Sequence, residues 1–156
     1  MPFAEIVPAW LNLRRGAPEA CNVFFGLQYA RPTYTEARLL LVAIVAESLQ
    51  KGLARPSNER PRERMHYRDR LRDLAGRPDE EARRALVPEV DAWVGDLVDA
   101  RNTLAHTGND YDADRDIFVL EWVTSSLITL ALMAELGMAT DVQLRAATTV
   151  LKPPWG

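Results

Sequence analysis

The chain has 156 residues and a mass of 17.5 kDa, with 47% hydrophobic residues, 26% charged residues and a formal net charge of -3. This profile excludes disordered and collagen-like chains and fits one soluble globular domain over residues 1–156, long enough to build a core without disulfide or metal staples. A single cysteine, Cys21, leaves no intrachain bridge, and the chain opens on no secretory leader pattern, so a reducing cytoplasm is expected, with Cys21 as a small buried hydrophobe.

Hydrophobic residues recur at helical spacing in several stretches, and no segment sustains the alternation of a half-buried strand, which predicts an all-α antiparallel helical bundle. Phe3 to Arg15 and Pro18 to Tyr29 form two short opening helices, the second begun by Pro18 at a first-turn position that needs no amide donor. After Arg31-Pro32, Thr33 or Thr35 caps a strong helix to about Lys51, with Gly52 as its stop and a continuously apolar centre from Leu39 to Ala46. A polar loop from Ala54 to Pro61 leads to an arginine-rich helix from Arg62 to Ala75, ended by Gly76-Arg77-Pro78.

Asp79 caps a short helix to Leu86, and Pro88 starts another running through Trp93, Leu97 and Ala100 toward His106, where Gly108-Asn109 breaks it. A long apolar helix follows from about Asp116 to Leu136, with Gly137 as terminator. A last helix covers Thr140 to about Leu151, and Lys152-Pro153-Pro154 cannot continue it. Only 13 residues separate Glu121 from Glu135, fewer than the roughly 20 that span a bilayer, so the expectation is a core helix and no membrane partner.

Charge is segregated along the chain. Of the 19 basic residues 17 are arginine, and Lys51 to Arg77 carries nine basic residues against four acids, an excess of +5. Glu89 to Asp116 reverses this, with eight acids against Arg101 and Arg115, an excess of -6. The basic segment, with Arg64, Arg68 and Arg72 at helical spacing, is either a guide for a polyanion or a solvated face laced with ion pairs.

With two histidines and one cysteine a zinc site of standard type is not expected, and no phosphate-loop or dinucleotide fingerprint occurs. The stretch Asp99-Ala-Arg-Asn-Thr-Leu-Ala-His106 instead gathers a permanent cation, an amide and an imidazole near a helix end. Asn102 and His106 stand about 40° apart around a helix axis and share a face, whereas Arg101 and His106 stand about 140° apart. Arg101 must therefore reach round the helix, or meet a histidine from another chain, to act on the same phosphate. The structural alternative has Arg101 paired with Asp99 or another acid, and His106 closing the helix C-terminus.

Arg101-Asn102-Thr-Leu-Ala-His106 resembles the Arg-polar-x-x-x-His signature of HEPN domains. Trp10-Leu11, Val45-Ala46-Glu47, Tyr67-Arg68-Asp69-Arg70-Leu71 and the run Leu127 to Leu136 with Gly137-Met138 are similar to the ApeA-like branch of that family. The resemblance implies a helical bundle that dimerises and joins two motifs into an endoribonuclease site needing no metal or other cofactor. It assigns Arg101 to charge on the phosphoryl oxygens, Asn102 to orienting His106 or donating to phosphate, and His106 to proton transfer at the 2'-hydroxyl. It further implies an RNA substrate, such as a transfer-RNA anticodon arm, and a role in bacterial antiphage defence or toxin-like growth control.

ApeA-like proteins are usually longer, so the resemblance leaves two readings, a short stand-alone member or the C-terminal domain of a longer protein, and leaves room for an inhibitory partner. Silencing by modification of a tyrosine two residues after the histidine is not expected, since position 108 is Gly and Tyr111 is out of register. Glu47, on the most apolar helix, needs a partner: it fixes the bundle by pairing with an arginine or backbone donors, or it aims Arg101 or His106 from behind. Two other functional readings remain, a non-catalytic HEPN module for dimerisation or RNA binding, and a calcium loop. For the latter, Asp110, Asp112, Asp114, Asp116 and Glu121 stand at positions 1, 3, 5, 7 and 12, but Arg115 occupies the position where the turn needs glycine. The simpler account of that run is an acidic turn before a helix.

Overall fold

A computed structural model of the chain describes residues 3–30, 34–53, 65–107 and 117–152. These residues form helices α1 (Phe3–Gly16), α2 (Pro18–Tyr29), α3 (Thr35–Leu53), α4 (Tyr67–Ala75), α5 (Glu80–Leu86), α6 (Val90–Thr107), α7 (Ile117–Glu135) and α8 (Thr140–Arg145), with a π-helical turn at Ala146–Val150 and, among the described residues, no strand. The all-α expectation holds.

The local signals act where the sequence places them. Pro18 opens α2. The Asp79 carboxylate accepts from the Glu81 and Ala82 amides at 3.0 and 3.2 Å, satisfying donors that a helix start otherwise leaves orphaned. Gly137 takes φ 74°, and the Met138 amide donates to the Met133 carbonyl while Gly137 donates to Ala134. This is the doubly bonded stop that a left-handed glycine permits.

Several boundaries differ from expectation. The arginine-rich helix starts at Tyr67 rather than Arg62: Met65 and His66 are non-helical, and the apolar positions that seat the helix, Tyr67, Leu71, Leu74 and Ala75, begin only there. α6 starts at Val90 rather than at Pro88, because the Glu89 carbonyl accepts the first helical bond, from the Trp93 amide. The last helix turns π-helical after Arg145, where the Leu151 amide reaches back to the Ala146 carbonyl. The Thr148 and Thr149 hydroxyls donate to main-chain carbonyls of the preceding turn, a competition that loosens helical winding. Gly52 does not stop α3 but lies within it, one residue before its end at Leu53, and Thr33, Gly108-Asn109 and Asp116, also expected at helix ends, lie outside the described residues.

The core is built around α3 and α7. Leu39, Val42, Ala43, Val45, Ala46 and Leu49 of α3 are buried, as are Leu127, Ile128, Leu130 and Ala131 of α7. The two helices run in the same direction: near their starts Arg38 donates to the Glu121 carboxylate at 3.2 Å, and near their ends Leu49 and Leu132 line one small void. Arg38 also donates to the Leu27 carbonyl, and Ser125 donates to the same Glu121 oxygen, so this buried charge is paired and hydrogen-bonded. α7 is the one described helix with the length and apolarity of a membrane span, yet its contacts are those of a core helix. Cys21 is buried among Phe24, Val45 and Leu49, and burial pushes its thiol above the usual range despite Arg14 nearby.

α1 and α2 close over one end of α3 through a contact that only a glycine permits. A side chain at Gly52 would meet the Gly16 carbonyl oxygen at 2.7 Å, the Ala17 Cα at 2.9 Å and the Ala17 Cβ closer still. Backbone cannot yield as a flexible side chain does. Gly52→Ala is therefore expected to cost about 1–3 kcal/mol and to lower the thermal midpoint by several degrees in a circular-dichroism melt; an unchanged midpoint would show that the α1–α2 unit gives way freely.

Candidate functional site

α6 carries two working faces. Val94, Leu97, Ala100 and Leu104 are buried, and Arg101 extends the same stripe at its edge, half-buried against α4. Asp99, Asn102 and His106 lie on the opposite, exposed side, with His106 in the last turn. The divergence of Arg101 from His106 expected from helix geometry is thus present in the fold.

α4 and α6 run antiparallel and are joined by three successive contacts. Arg72 bridges to Asp91 at 2.7 Å, Arg68 to Asp99 at 3.7 Å, and the Arg101 guanidinium lies over the Tyr67 ring, 4.8 Å from its centre. This revises the structural reading of Arg101. Asp99 is engaged with Arg68, and no carboxylate among the described residues forms an ion pair with Arg101. An aromatic face takes the place of the acid.

Tyr67 is the residue that the sequence reading did not assign to the site. Its hydroxyl donates to the Ala43 carbonyl of α3 at 3.3 Å, and its ring carries the Arg101 guanidinium on one face. Burial pushes its pKa up to about 12; the Arg101 charge lowers it in part and Glu47 raises it further. Tyr67 is therefore protonated at physiological pH and offers no phenolate base there. The available signal was local: Tyr67 is the only Phe, Tyr or Trp between Lys51 and Arg77, and an aromatic among arginines is a natural cation platform.

Glu47 is partly buried and pairs with Lys51 one turn on, at 2.5 Å, so its ionic partner is a lysine of its own helix and not an arginine. Arg68 and Arg72 are half-exposed, each in ion pairs, Arg72 with Asp69 as well as Asp91. Arg64 lies outside the described residues. Arg70 turns inward, donating to buried Gln50 at 3.0 Å; Gln50 donates to Asp73, which with Glu135 holds Arg77. The arginine-rich helix is thus largely a scaffold of ion pairs.

Of the calcium-loop residues, 110–116 fall outside the described residues, and Glu121, the required last ligand, is committed to Arg38. Among the described residues no cluster of His, Cys, Asp and Glu could hold a metal ion. One groove of about 420 Å³ opens between the start of α6 and α7, lined by Val87, Trp93, Leu120 and Val123 with Glu89 and Asp96 at its rim. Its carboxylates do not suit a phosphate, and it lies roughly 15 Å of helix rise, from Asp96 to His106, away from the motif.

The arrangement defines a helical domain that presents an arginine held at a helix edge and, on the opposite, exposed side of the same helix, an amide and an imidazole. Residues 36–142, more than half of the chain, match the family described as Apea-like HEPN, and the chain belongs to that family. The match spans α3 to the start of α8 and includes Arg101, Asn102 and His106. Membership carries the coarse assignment of a nuclease or RNA-related role of the kind HEPN domains have in defence and toxin systems. Comparison with the curated proteins gave no match, nor did comparison with the solved structures.

The buried phenol yields a spectroscopic test. Of the four tyrosines, Tyr67 is expected to ionise last, near pH 12, in an absorbance titration at the tyrosinate band, and Tyr67→Phe is expected to remove that step. Because the folded pKa lies above the unfolded value of about 10, the associated stability is present below pH 10 and is lost as pH rises toward 12. A native protein whose tyrosines all ionise by about pH 10 would contradict this placement.

Proposed function

We propose that this protein is an endoribonuclease that cleaves RNA without a metal ion, acting in the cytoplasm in bacterial antiphage defence or toxin-like growth control. The observation that carries the reading is the Arg101, Asn102 and His106 set inside the family match, with Arg101 held at the helix edge free of any described acid partner. In this reading His106 removes the proton from a ribose 2'-hydroxyl, the 2'-oxygen attacks the adjacent phosphorus, and the bond to the 5'-oxygen breaks. The fragments carry a 2',3'-cyclic phosphate and, once the leaving oxygen is protonated, a 5'-hydroxyl. A free imidazole, with pKa near 6.5, is suited to that transfer. Arg101 meets the charge on the phosphoryl oxygens with a guanidinium fork, and Asn102, on the face of His106, orients the imidazole or donates to phosphate.

The divergence of Arg101 and His106 supports a homodimer in which a two-fold axis beside α6 lets each chain supply what the other lacks. Glu47 acts from behind, through Tyr67, whose phenol feels the charges of both Arg101 and Glu47. The test is cleavage of RNA by the purified protein in EDTA, where His106→Ala and Arg101→Ala are each expected to lower the rate by about 10²–10⁴-fold. His106 is exposed, so its variant should melt like the parent. Undiminished cutting by either variant would refute the assignment.

The basic face is proposed to guide the RNA through Arg68, nearest the motif and in the longer of the two α4–α6 bridges, with Arg64 preceding it in sequence. Arg72, held by two acids at 2.7 and 3.0 Å, serves the seam first and phosphate second. Arg68→Glu is expected to reduce the salt dependence of RNA binding by about one unit of slope, whereas Arg72→Glu should chiefly lower thermal stability. An unchanged slope in Arg68→Glu would leave α4 as scaffold alone.

A further inference from the structure

The chemistry assigned to Arg101 demands a fixed direction, because a guanidinium that swings freely gives up in ordering entropy much of what its charge supplies. Arginines are commonly fixed by acids. An acid partner occupies the same N–H donors that a phosphate needs and neutralises part of the charge meant for it. Here the nearest acid on the helix, Asp99, is engaged by Arg68, and the guanidinium carbon stands 4.8 Å from the centre of the Tyr67 ring.

We propose that Tyr67 is a positioning residue for RNA cleavage, its ring holding the Arg101 guanidinium in its working direction while leaving the N–H donors free for a scissile phosphate. This rests on the reading of Arg101 as the phosphate-binding group. A cation–ring contact uses the charge of the guanidinium and no hydrogen-bond donor, so the arginine is oriented without being neutralised. The ring is itself anchored. Its hydroxyl is tied to the Ala43 carbonyl, and it opens α4 just where the ion pairs of Arg68 and Arg72 clamp that helix to α6. Burial first, and the Glu47 charge on the α3 turn that follows Ala43 in smaller part, hold the phenol protonated, so the ring stays neutral beneath the cation.

The working part is the ring and not the hydroxyl, and this separates positioning from packing. Tyr67→Phe is expected to keep kcat within about threefold of the parent. Tyr67→Leu, which retains apolar bulk and removes the π face, is expected to lower kcat by roughly 5- to 30-fold with KM nearly unchanged. Tyr67→Trp restores a ring and should recover most of the loss. In the unmutated protein the Arg101 δ-methylene protons should show upfield ring-current shifts by nuclear magnetic resonance, a readout that needs no variant to fold. Random-coil shifts there would overturn the proposal, as would a Tyr67→Leu enzyme with parental kcat while Arg101→Ala is inactive; the latter leaves the ribonuclease reading intact. A fully active Arg101→Ala variant would instead overturn the ribonuclease reading, and this one with it.

Discussion

The site depends on the seam between α4 and α6. α6 is a core helix along most of its length, and Arg101, the residue proposed to meet the phosphate, falls on the stripe that faces inward. A cation in that position must be solvated, paired or stacked, since an isolated charge at the edge of a core is costly. The fold resolves this with Tyr67 and spends the acids of α6 on neighbouring arginines of α4, Asp91 on Arg72 and Asp99 on Arg68. The two ion pairs are surface pairs of modest individual strength. Their consequence is register: they set Tyr67 opposite Arg101.

The same seam accounts for much of the charge segregation along the chain. A basic block followed by an acidic block reads in sequence as a polyanion-binding surface beside a repelling one. In the fold, part of each block neutralises the other, and Arg70 and Arg77 are drawn inward to Gln50, Asp73 and Glu135. Under the proposed function, what remains for RNA is a narrow feature around Arg68 and the motif. A net charge of -3 is no obstacle to such a site, because the relevant field is local and is screened beyond roughly 8–10 Å.

How far the structure could be read beforehand follows from the range of each signal. Helix ends set by Pro18, Asp79 and Gly137 were legible because a cap acts within a turn of itself. The start of α4 was not, since arginines at helical spacing make a pattern whether or not apolar residues anchor it, and anchoring begins at Tyr67. The π-helical turn was hidden for the same reason, as it depends on which carbonyls the Thr148 and Thr149 hydroxyls choose. At the site, Arg101, Asn102 and His106 were visible as a short spacing on one helix. The pairing of Glu47 with Lys51 was also within reach, being a helical i,i+4 pattern. The partners of Arg101 and Asp99 come from another helix, and no local pattern specifies them.

The two halves of the motif are held differently. Arg101 is half-buried against a hydrogen-bonded ring on a clamped seam, so its position is inherited from the core. Asn102 and His106 are exposed on the last turns of α6, where helix ends carry fewer backbone bonds and adjust more readily. The proposed reaction, which moves a proton and then develops charge on a phosphate, would benefit from that division. The charge-stabilising group must be preorganised before the transition state forms, because orienting it then would cost what it contributes. In that reading the imidazole approaches a hydroxyl whose placement depends on the bound RNA, and it needs latitude that a core residue lacks. Placing the arginine on the buried stripe and the histidine at the open end of one helix gives each group the rigidity its proposed task requires, and the 140° between them follows from that placement.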